Sequence, residues 1–388
     1  MQKKWIVIPC LLMLAAMATF ALPGLQRFWQ TLGPQPAVVL DRALRESTID
    51  TLVATLDDHY VFPDKARAIG AMLRQRQQQG AYDDIKSGFR LALQLTADVH
   101  GVARDLHMTV RFAPGVVLPE ESAGPAPASQ AEWERQNNVV KRLFMRHTAT
   151  RNVVRVGRLG GNIGYLKISR FPDAFLIAES FAAAMDELAD TDGLIVDLRP
   201  NGGGDPQAVV LLVSYFVDRR TRLNDIWDRD TGIATQHWTE DKLAGQRYGG
   251  KKPVLILVGR GTASAGEDLA YTMQALQRAV VIGEPTWGGA HPISPHRIGE
   301  HFVALIPSQR SISPITGTNW EGTGVMPDIA ATPGNGLAVA RNLMQRRLHG
   351  QHAQQQAEAE RCGDGDDQAC SMVHDRGGPD PVHVPQHK

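Results

Sequence analysis

The chain has 388 residues, 43% of them hydrophobic, and its 41 lysines and arginines balance 41 aspartates and glutamates. This apolar content is typical of a folded protein, and the length leaves room for two or three domains. The balanced charge argues against a basic surface spread over the whole chain and against an acidic solvating tail, so we expect no nucleic-acid partner.

Residues 1–21 have the pattern of an export signal. The basic start QKK precedes an apolar run over residues 5–21, in which Ala16 and Ala18 form a small-x-small cleavage site. The run is short for a membrane-spanning helix, which needs about 20 apolar residues. We therefore expect a periplasmic or otherwise extracytoplasmic protein whose signal peptide is removed, with an uncleaved membrane anchor as the alternative.

Residues 37–112 are predicted to form a small helical domain. Pro63 suits the first turn of a second helix, a third helix covers Ile85 to Val99, and the strand-like run DLHMTVRF follows. One buried face of the first helix has the spacing i, i+3, i+4, i+7, in the residues Ile49, Leu52, Val53, Leu56 and Tyr60.

Residues 113–150 are predicted to be a linker or insert, rich in proline and alanine, with a helix possible over SQAEWERQNNVVKRLF. From residue 151 to 335, short apolar runs such as GLIVDLR and PVLILV alternate with helical patterns, which indicates an α/β domain with buried strands. A last helix is expected over Ala338 to Leu348, within a C-terminal segment 336–388 that ends in a polar tail.

The stretch VGRGTASAGEDLAY places Ser264 between an apolar strand and a helix, and three interpretations fit it. Ser264 and Glu267 match a capping box. Alternatively Gly259 and Gly261, with Glu284 further on, outline a dinucleotide-binding loop, although Ser264 stands where the third glycine belongs. In the third interpretation Ser264 is a nucleophile at a helix N-terminus, where the N–H of Ala265 helps to hold an oxyanion.

The nucleophile hypothesis requires partners, and the chain supplies candidates. The loop DLRPNGGGDP offers backbone N–H groups that a substrate carbonyl can approach closely, with Gly203 as the second oxyanion donor among Gly202, Gly203 and Gly204. His107 at the entry of a strand is a candidate base, and Glu321 in the loop TNWEGTGVMPDI is a candidate orienting acid.

These stretches, over residues 40–335 and in this order, resemble peptidase family S41, the tail-specific and tricorn-like serine peptidases. The branch that the chain resembles most is the one related to interphotoreceptor retinoid-binding protein, to which HYVFPDKA and DLHMTV also point. The resemblance implies a ClpP/crotonase-like α/β catalytic domain preceded by a helical bundle. It also implies that Ser264, before AGE, is the nucleophile.

The sequence also departs from the family pattern at several places. The loop TWGGAHP lacks the lysine that is the base in the tail-specific branch, so the resemblance implies His107 as base and Glu321 as its orienting acid. Leu106 replaces the serine that precedes this histidine in tricorn relatives, so Glu321 would reach His107 directly or through water. Residues 113–150 are too short for the peptide-gripping PDZ domain of the tail-specific branch.

We therefore predict a serine peptidase that hydrolyses peptide bonds in exported proteins or peptides, without a cofactor or metal ion. A metal cluster of His291, His296 and His301 is disfavoured by the strands and prolines around them. The alternative function is a non-catalytic carrier of hydrophobic ligands on the same fold. Cys362 and Cys370 are predicted to form a local disulfide, as two nearby cysteines do in an oxidising compartment.

Overall fold

The computed structural model describes residues 38–116, 118 and 153–363. The predicted signal segment 1–21, most of the linker 113–150 with its possible helix, and the Cys362–Cys370 disulfide lie outside what it describes. Across the described residues, none of the helices is both long and apolar enough for a membrane span.

The chain folds into seven helices and twelve strands over the described ranges. The helices are α1 (Arg42–His59), α2 (Pro63–Gln78), α3 (Gly88–Ala103), α4 (Ala174–Leu188), α5 (Pro206–Ser214), α6 (Ala265–Ala275) and α7 (Gly336–Gly363). The strands are β1 (Thr109–Phe112), β2 (Val154–Leu159), β3 (Ile163–Ile168), β4 (Gly193–Asp197), β5 (Asp225–Asp228), β6 (Ala234–Thr235), β7 (Val254–Val258), β8 (Val280–Gly283), β9 (Ile293–Arg297), β10 (Phe302–Pro307), β11 (Gln309–Ile312) and β12 (Ile329–Ala330).

The three N-terminal helices begin where the sequence provides a cap. Asp41 accepts the Leu44 N–H at 2.8 Å at the start of α1, and Ser87 accepts the Arg90 N–H at 3.4 Å at the start of α3. Pro63 begins α2, where its missing N–H costs no hydrogen bond. The predicted helices over this segment are therefore present.

The core of this helical unit also includes strands from much later in the chain. β10 pairs antiparallel with β1 on one side and with β9 on the other, so that the sheet order is β1-β10-β9. Phe302 and Ile306 of β10 are buried with Leu56, Leu95 and other residues of the helices. The predicted N-terminal domain 37–112 therefore shares its core with residues of the predicted domain 151–335, and its boundary stays a prediction.

The central sheet has the order β12-β8-β7-β4-β3-β2, and all its strands are parallel except β2, which pairs antiparallel with β3. Every residue of β4 and β7 is buried. Helices α4, α5 and α6 cover one face, and α7 covers the other through Ala340, Met344 and Leu348. The predicted α/β fold class is confirmed, and the last helix is longer than expected.

This topology determines where a site can form. β4 and β7 are parallel neighbours with Asp197 opposite Leu257, so the loops that leave their carboxyl ends lie side by side. One loop contains Asn201 to Gly204 and the other ends at Ser264. The crevice beyond the carboxyl ends of parallel strands is where open α/β sheets bind ligands.

Candidate active site

Ser264 occupies a sharp turn between β7 and α6. Its φ of 52° with ψ of −120° is rare for a residue with a side chain and costs on the order of 1–3 kcal/mol. Thr262 braces the turn, because its hydroxyl accepts the Gly259 N–H at 3.1 Å and donates to the Leu198 carbonyl at 2.8 Å. A strained residue held at a helix N-terminus is a common arrangement at functional sites.

Glu267 joins this turn to the loop that follows β8. Its carboxylate accepts the backbone N–H of Ser264 at 2.8 Å, which is one arm of the predicted capping box. It also accepts the Thr286 hydroxyl at 2.5 Å and the N–H groups of Gly288 and Gly289 at 2.6 and 3.0 Å. Burial raises the pKa of Glu267, and these hydrogen bonds oppose that rise.

The glycine loop after β4 lies directly against Ser264. Asn201 connects the two loops, since its carbonyl accepts the Ala263 N–H at 2.9 Å. Gly203 has a φ of 98°, and a Cβ at that position would lie 2.8 Å from the Cβ of Ser264. At Gly204 a Cβ would overlap the Phe171 carbonyl. The two glycines are therefore required by close backbone approach as well as by conformation.

One of the two predicted oxyanion donors, the Gly203 N–H, already has a partner within the protein. The Gly203 N–H donates to the side-chain oxygen of Asn201 at 2.9 Å, so it is already engaged. Gly202 and Gly204 line the cavity beside Ser264, and Gly203 is not among the lining residues. No acceptor for the Ala265 N–H occurs among the described residues, as expected for the first residue of a helix.

A cavity of about 680 Å³ opens beside Ser264. His107 and His291 line it together with the serine, although the three residues come from separate parts of the chain. The indole N–H of Trp320 donates to the Gly289 carbonyl at 2.7 Å, and Trp287 also faces the cavity. Both tryptophans therefore belong to the walls of the site.

His107 is held mainly by packing. Its ring lies edge-on to Trp287 at 4.8 Å between centroids, and its backbone N–H donates to Asp105 Oδ1 at 3.2 Å. The ring Nδ1 is buried and has no hydrogen-bond partner among the described residues. Burial lowers the pKa of His107, nearby Asp105 raises it and His291 lowers it further. The imidazole is thus kept neutral at neutral pH, as a general base requires.

Glu321 lies beside a different histidine from the one predicted. Its Oε2 accepts the Ala290 N–H at 2.6 Å and lies 3.3 Å from Nδ1 of His291. Among the described residues, no hydrogen bond or ion pair joins Glu321 to His107. Burial, followed by the charge of Asp105, raises the pKa of Glu321 to about 7, and His291 opposes the rise.

Asp105 completes this cluster, which we call the acid–histidine cluster: Asp105, His291 and Glu321. Asp105 Oδ2 lies 2.8 Å from His291 Nδ1, and the Tyr60 hydroxyl donates to the same oxygen at 3.3 Å. Asp105 and His291 are almost fully buried. The sequence points to neither residue as part of the active site, and His291 enters only the disfavoured metal set, although Asp105 is two positions before His107 and His291 lies in the loop TWGGAHP.

The cluster also has the composition of a metal site. One ligand atom from each of the three residues lies within 4.8 Å of the others. The direct contacts of His291 with the two carboxylates account for this proximity by charge-assisted hydrogen bonding. The other two histidines of the evenly spaced set lie elsewhere, with His296 stacked on His59 at 4.3 Å and His301 lying 3.7 Å from Glu300.

Comparison with known proteins identifies the family. Residues 162–331 match the model of peptidase family S41, and residues 36–147 match the N-terminal domain of this family in eukaryotic IRBP, the interphotoreceptor retinoid-binding protein. The chain belongs to peptidase family S41. The match to both models places the serine turn, the glycine loop and His107 within the family's two regions, as the resemblance of the sequence predicted.

Curated relatives of this S41 chain include processing proteases. It is 32% identical over 131 residues to a carboxyl-terminal-processing protease of Synechocystis sp., a match that covers 34% of this chain and 29% of the relative. It is 26% identical over 185 residues to a carboxy-terminal-processing protease of Bartonella bacilliformis, covering 44% and 39%. The matched region is thus less than half of each relative's length.

Two solved structures have the same overall architecture as this chain. Mature CPAF superposes with a TM-score of 0.51 at 12% identity, over 76% of this chain and 94% of that one. A lipoprotein from Streptococcus agalactiae gives a TM-score of 0.50 at 14% identity, over 80% and 99%. At these identities the likeness concerns the architecture alone.

Proposed function

We propose that this protein is a serine peptidase that hydrolyses peptide bonds, with Ser264 as nucleophile and His107 as general base. One observation carries the proposal: Ser264, in a strained turn at a helix N-terminus, lines the same cavity as a half-buried histidine, His107, whose pKa is lowered. A nucleophile, a neutral base and free backbone N–H groups around one cavity are the parts that acyl transfer needs.

In the proposed reaction His107 takes the Ser264 proton as the hydroxyl oxygen attacks the peptide carbonyl. The negative oxygen that develops is held by the Ala265 N–H and by an N–H of the glycine loop, where Gly202 and Gly204 remain candidates because Gly203 donates to Asn201. His107 then gives the proton to the leaving amine, and water hydrolyses the acyl-enzyme by the reverse sequence. Each oxyanion donor contributes about 3–4 kcal/mol to such a transition state.

Within the acid–histidine cluster, Asp105 stabilises the charge that appears on His107. Asp105 accepts the His107 backbone N–H, and its charge raises the pKa of His107 and so favours the protonated imidazole. Glu321 acts on His107 indirectly, because its carboxylate lies against His291, which in turn contacts Asp105. We thus assign Glu321 a role in the electrostatics of the cluster in place of direct orientation of His107.

The substrates we propose are peptides or proteins in an extracytoplasmic, for example periplasmic, compartment, which the export pattern of residues 1–21 supports. That segment would be removed as a signal peptide or kept as a membrane anchor. The S41 domain needs no metal or cofactor for this chemistry. Recognition of the C-terminal end of a substrate is not proposed, because residues 113–150 are too few for a PDZ domain.

The test is cleavage of an internally quenched peptide library by the full chain. Wild type should cleave, and Ser264→Ala should lower the rate by about four to six orders of magnitude because the nucleophile is lost. Ser169→Ala is the matched control, since Ser169 lies outside the cavity and donates only a long hydrogen bond of 3.4 Å to Val153. Equal cleavage by wild type and Ser264→Ala would contradict the proposal.

The carrier alternative has one observation in its favour. Much of the cavity wall is apolar, with Ile226, Ile293 and the two tryptophans Trp287 and Trp320 among its residues. Such a wall suits a hydrophobic ligand. Under this alternative a hydrophobic fluorescent probe binds equally well to wild type and to Ser264→Ala, and neither protein cleaves any peptide.

A further inference from the structure

We propose that a second carboxylate in the cavity, Asp268, is a specificity-determining residue that selects substrates with lysine or arginine adjacent to the scissile bond. This inference rests on the proposed peptidase function and names a substrate class for it. Asp268 lines the same cavity as Ser264 and lies one turn further along α6. Its N–H donates to the Ser264 carbonyl at 2.9 Å, so the carboxylate and the nucleophile are carried by the same helical turn.

Asp268 is fixed in position on one side only. Its Oδ1 accepts the side-chain amide of Asn224 at 2.6 Å and the Thr272 hydroxyl at 3.2 Å. No described residue donates to Oδ2, and no lysine or arginine of the described chain forms an ion pair with this carboxylate. One oxygen is therefore held by the protein while the other is available to a ligand.

The charge state of this carboxylate is sensitive to a cation. Burial raises the pKa of Asp268, whereas the hydrogen bonds from Asn224 and Thr272 and the nearby His237 lower it. A buried carboxylate without a counter-ion is costly, and an opposite charge within a few ångströms offsets that cost. A cationic substrate side chain supplies what the folded protein does not.

A second polar group in the cavity also lacks a partner. The Ser311 hydroxyl is buried, lines the cavity and has no hydrogen bond with any described residue. Ser311 lies opposite Ile226 in the pairing of β11 with β5, so the two side chains share one face of this strand pair. On the other face Arg310 stacks on Trp227 at 4.7 Å from the ring centroid.

The strand pair brings the two polar groups to one part of the cavity. Asn224, which holds Asp268, directly precedes β5 and is two residues before Ile226. The subsite therefore has an apolar wall at Ile226, a fixed carboxylate at Asp268 and an unpaired hydroxyl acceptor at Ser311. An apolar stem that ends in a cation matches this order, and lysine and arginine are the amino acids that have it.

The experiment compares cleavage of two peptide sets by the full chain. In one set lysine or arginine flanks the scissile bond, and in the other methionine replaces it. Wild type should favour the basic set at least about 10-fold in kcat/KM, and Asp268→Asn should lower that ratio at least about 10-fold. Glu300→Gln is the matched control for loss of one negative charge, because Glu300 is exposed and lies outside the cavity.

A measurement on wild type alone covers the case in which the Asp268→Asn substitution disturbs folding. Benzamidine should slow the covalent labelling of Ser264 by a neutral fluorophosphonate, and uncharged benzamide should do so at least about 10-fold less effectively. Wild type that labels at Ser264 but cleaves both peptide sets equally overturns the inference and leaves the peptidase function intact. Wild type that neither labels nor cleaves overturns both.

Discussion

The two sides of the cavity are built in different ways. On the serine side, Ser264, the glycine loop and Glu267 belong to consecutive units of one parallel sheet, and hydrogen bonds from backbone N–H groups to the side chains of Glu267 and Asn201 hold them. On the histidine side, His107 and Asp105 come from the N-terminal helical unit, and Asp105 reaches His291 across 186 positions of sequence. Local turn geometry thus positions the nucleophile, whereas the base is held by packing against Trp287, beside a pair of buried charges from two distant segments.

Because they are built differently, the two sides should tolerate different substitutions. The serine side depends on close backbone approach at Gly203 and Gly204, so an added Cβ is damaging at those two positions. The histidine side depends on the pairing of buried charges, which is damaged most when one partner is removed and the other is left unpaired. The following variants separate the two dependences.

The largest effect is expected for Gly203→Ala on the serine side. The new Cβ would lie 2.8 Å from the Ser264 Cβ, at a φ of 98° that alanine adopts only with strain. We expect kcat/KM to fall about 1,000-fold, which corresponds to about 4 kcal/mol. Gly160→Ala is the matched control, because nothing lies within 4 Å of a Cβ at that position and Gly160 lies outside the cavity. Similar activities in the two variants would show that close approach is unimportant.

The next effect is a loss of stability in Glu267→Gln. The carboxylate accepts hydrogen bonds from Ser264, Thr286, Gly288 and Gly289, and a glutamine amide would turn donors toward donors. Chemical denaturation should show a free energy of unfolding lower by about 3 kcal/mol. The same substitution at Glu284 should cost less than about 0.5 kcal/mol. Equal losses at the two positions would contradict the anchoring role of Glu267.

On the histidine side, His291→Ala leaves Asp105 and Glu321 facing each other without the imidazole between them. We expect the free energy of unfolding to fall by about 2 kcal/mol, together with a drop in kcat. His291→Asn should recover part of both losses, since its amide can donate near the position of Nδ1. If His291→Asn is as unstable and as slow as His291→Ala, the ring of His291 acts by packing and the electrostatic role is contradicted.

The smallest effect concerns the pH dependence of stability through Glu321. Its pKa is about 7 in the folded protein and 4.5 is the ordinary value. The folded state therefore binds this proton more tightly than the unfolded state, and stability falls as the pH rises from about 4.5 to 7. In Glu321→Gln this loss between pH 5 and pH 8 should shrink by about 2 kcal/mol, as measured by denaturation at both pH values. A larger loss of stability in Glu321→Gln than in wild type would contradict the raised pKa of Glu321 in the folded protein.

The contrast between the two sides also explains how far the sequence could predict them. The strands GLIVDLR and PVLILV, the glycine loop and the position of Ser264 before its helix follow from local patterns, and the structure contains them. The contact of Glu321 with His291, the engagement of the Gly203 N–H by Asn201 and the role of Asp105 depend on contacts between distant segments. No spacing in the sequence encodes such contacts.

The pairing of β1 with β10 is another example of this limit. The run FVALIP of β10 has the apolar composition of a strand, but its composition does not say which sheet it joins. The structure places it beside β1 and under the N-terminal helices, away from the central sheet. Through this pairing His107, two residues before β1, reaches the edge of the serine cavity.

The central claim is that Ser264 is a nucleophile activated by His107, and covalent labelling tests it most directly. Full-length wild type, treated with a neutral fluorophosphonate and followed by intact mass and peptide mapping, should gain one label, on Ser264. Ser264→Ala should gain none, and His107→Ala should label at least about 100-fold more slowly because the base is lost. A wild-type chain that stays unlabelled, or one whose label maps to another residue, would contradict the account.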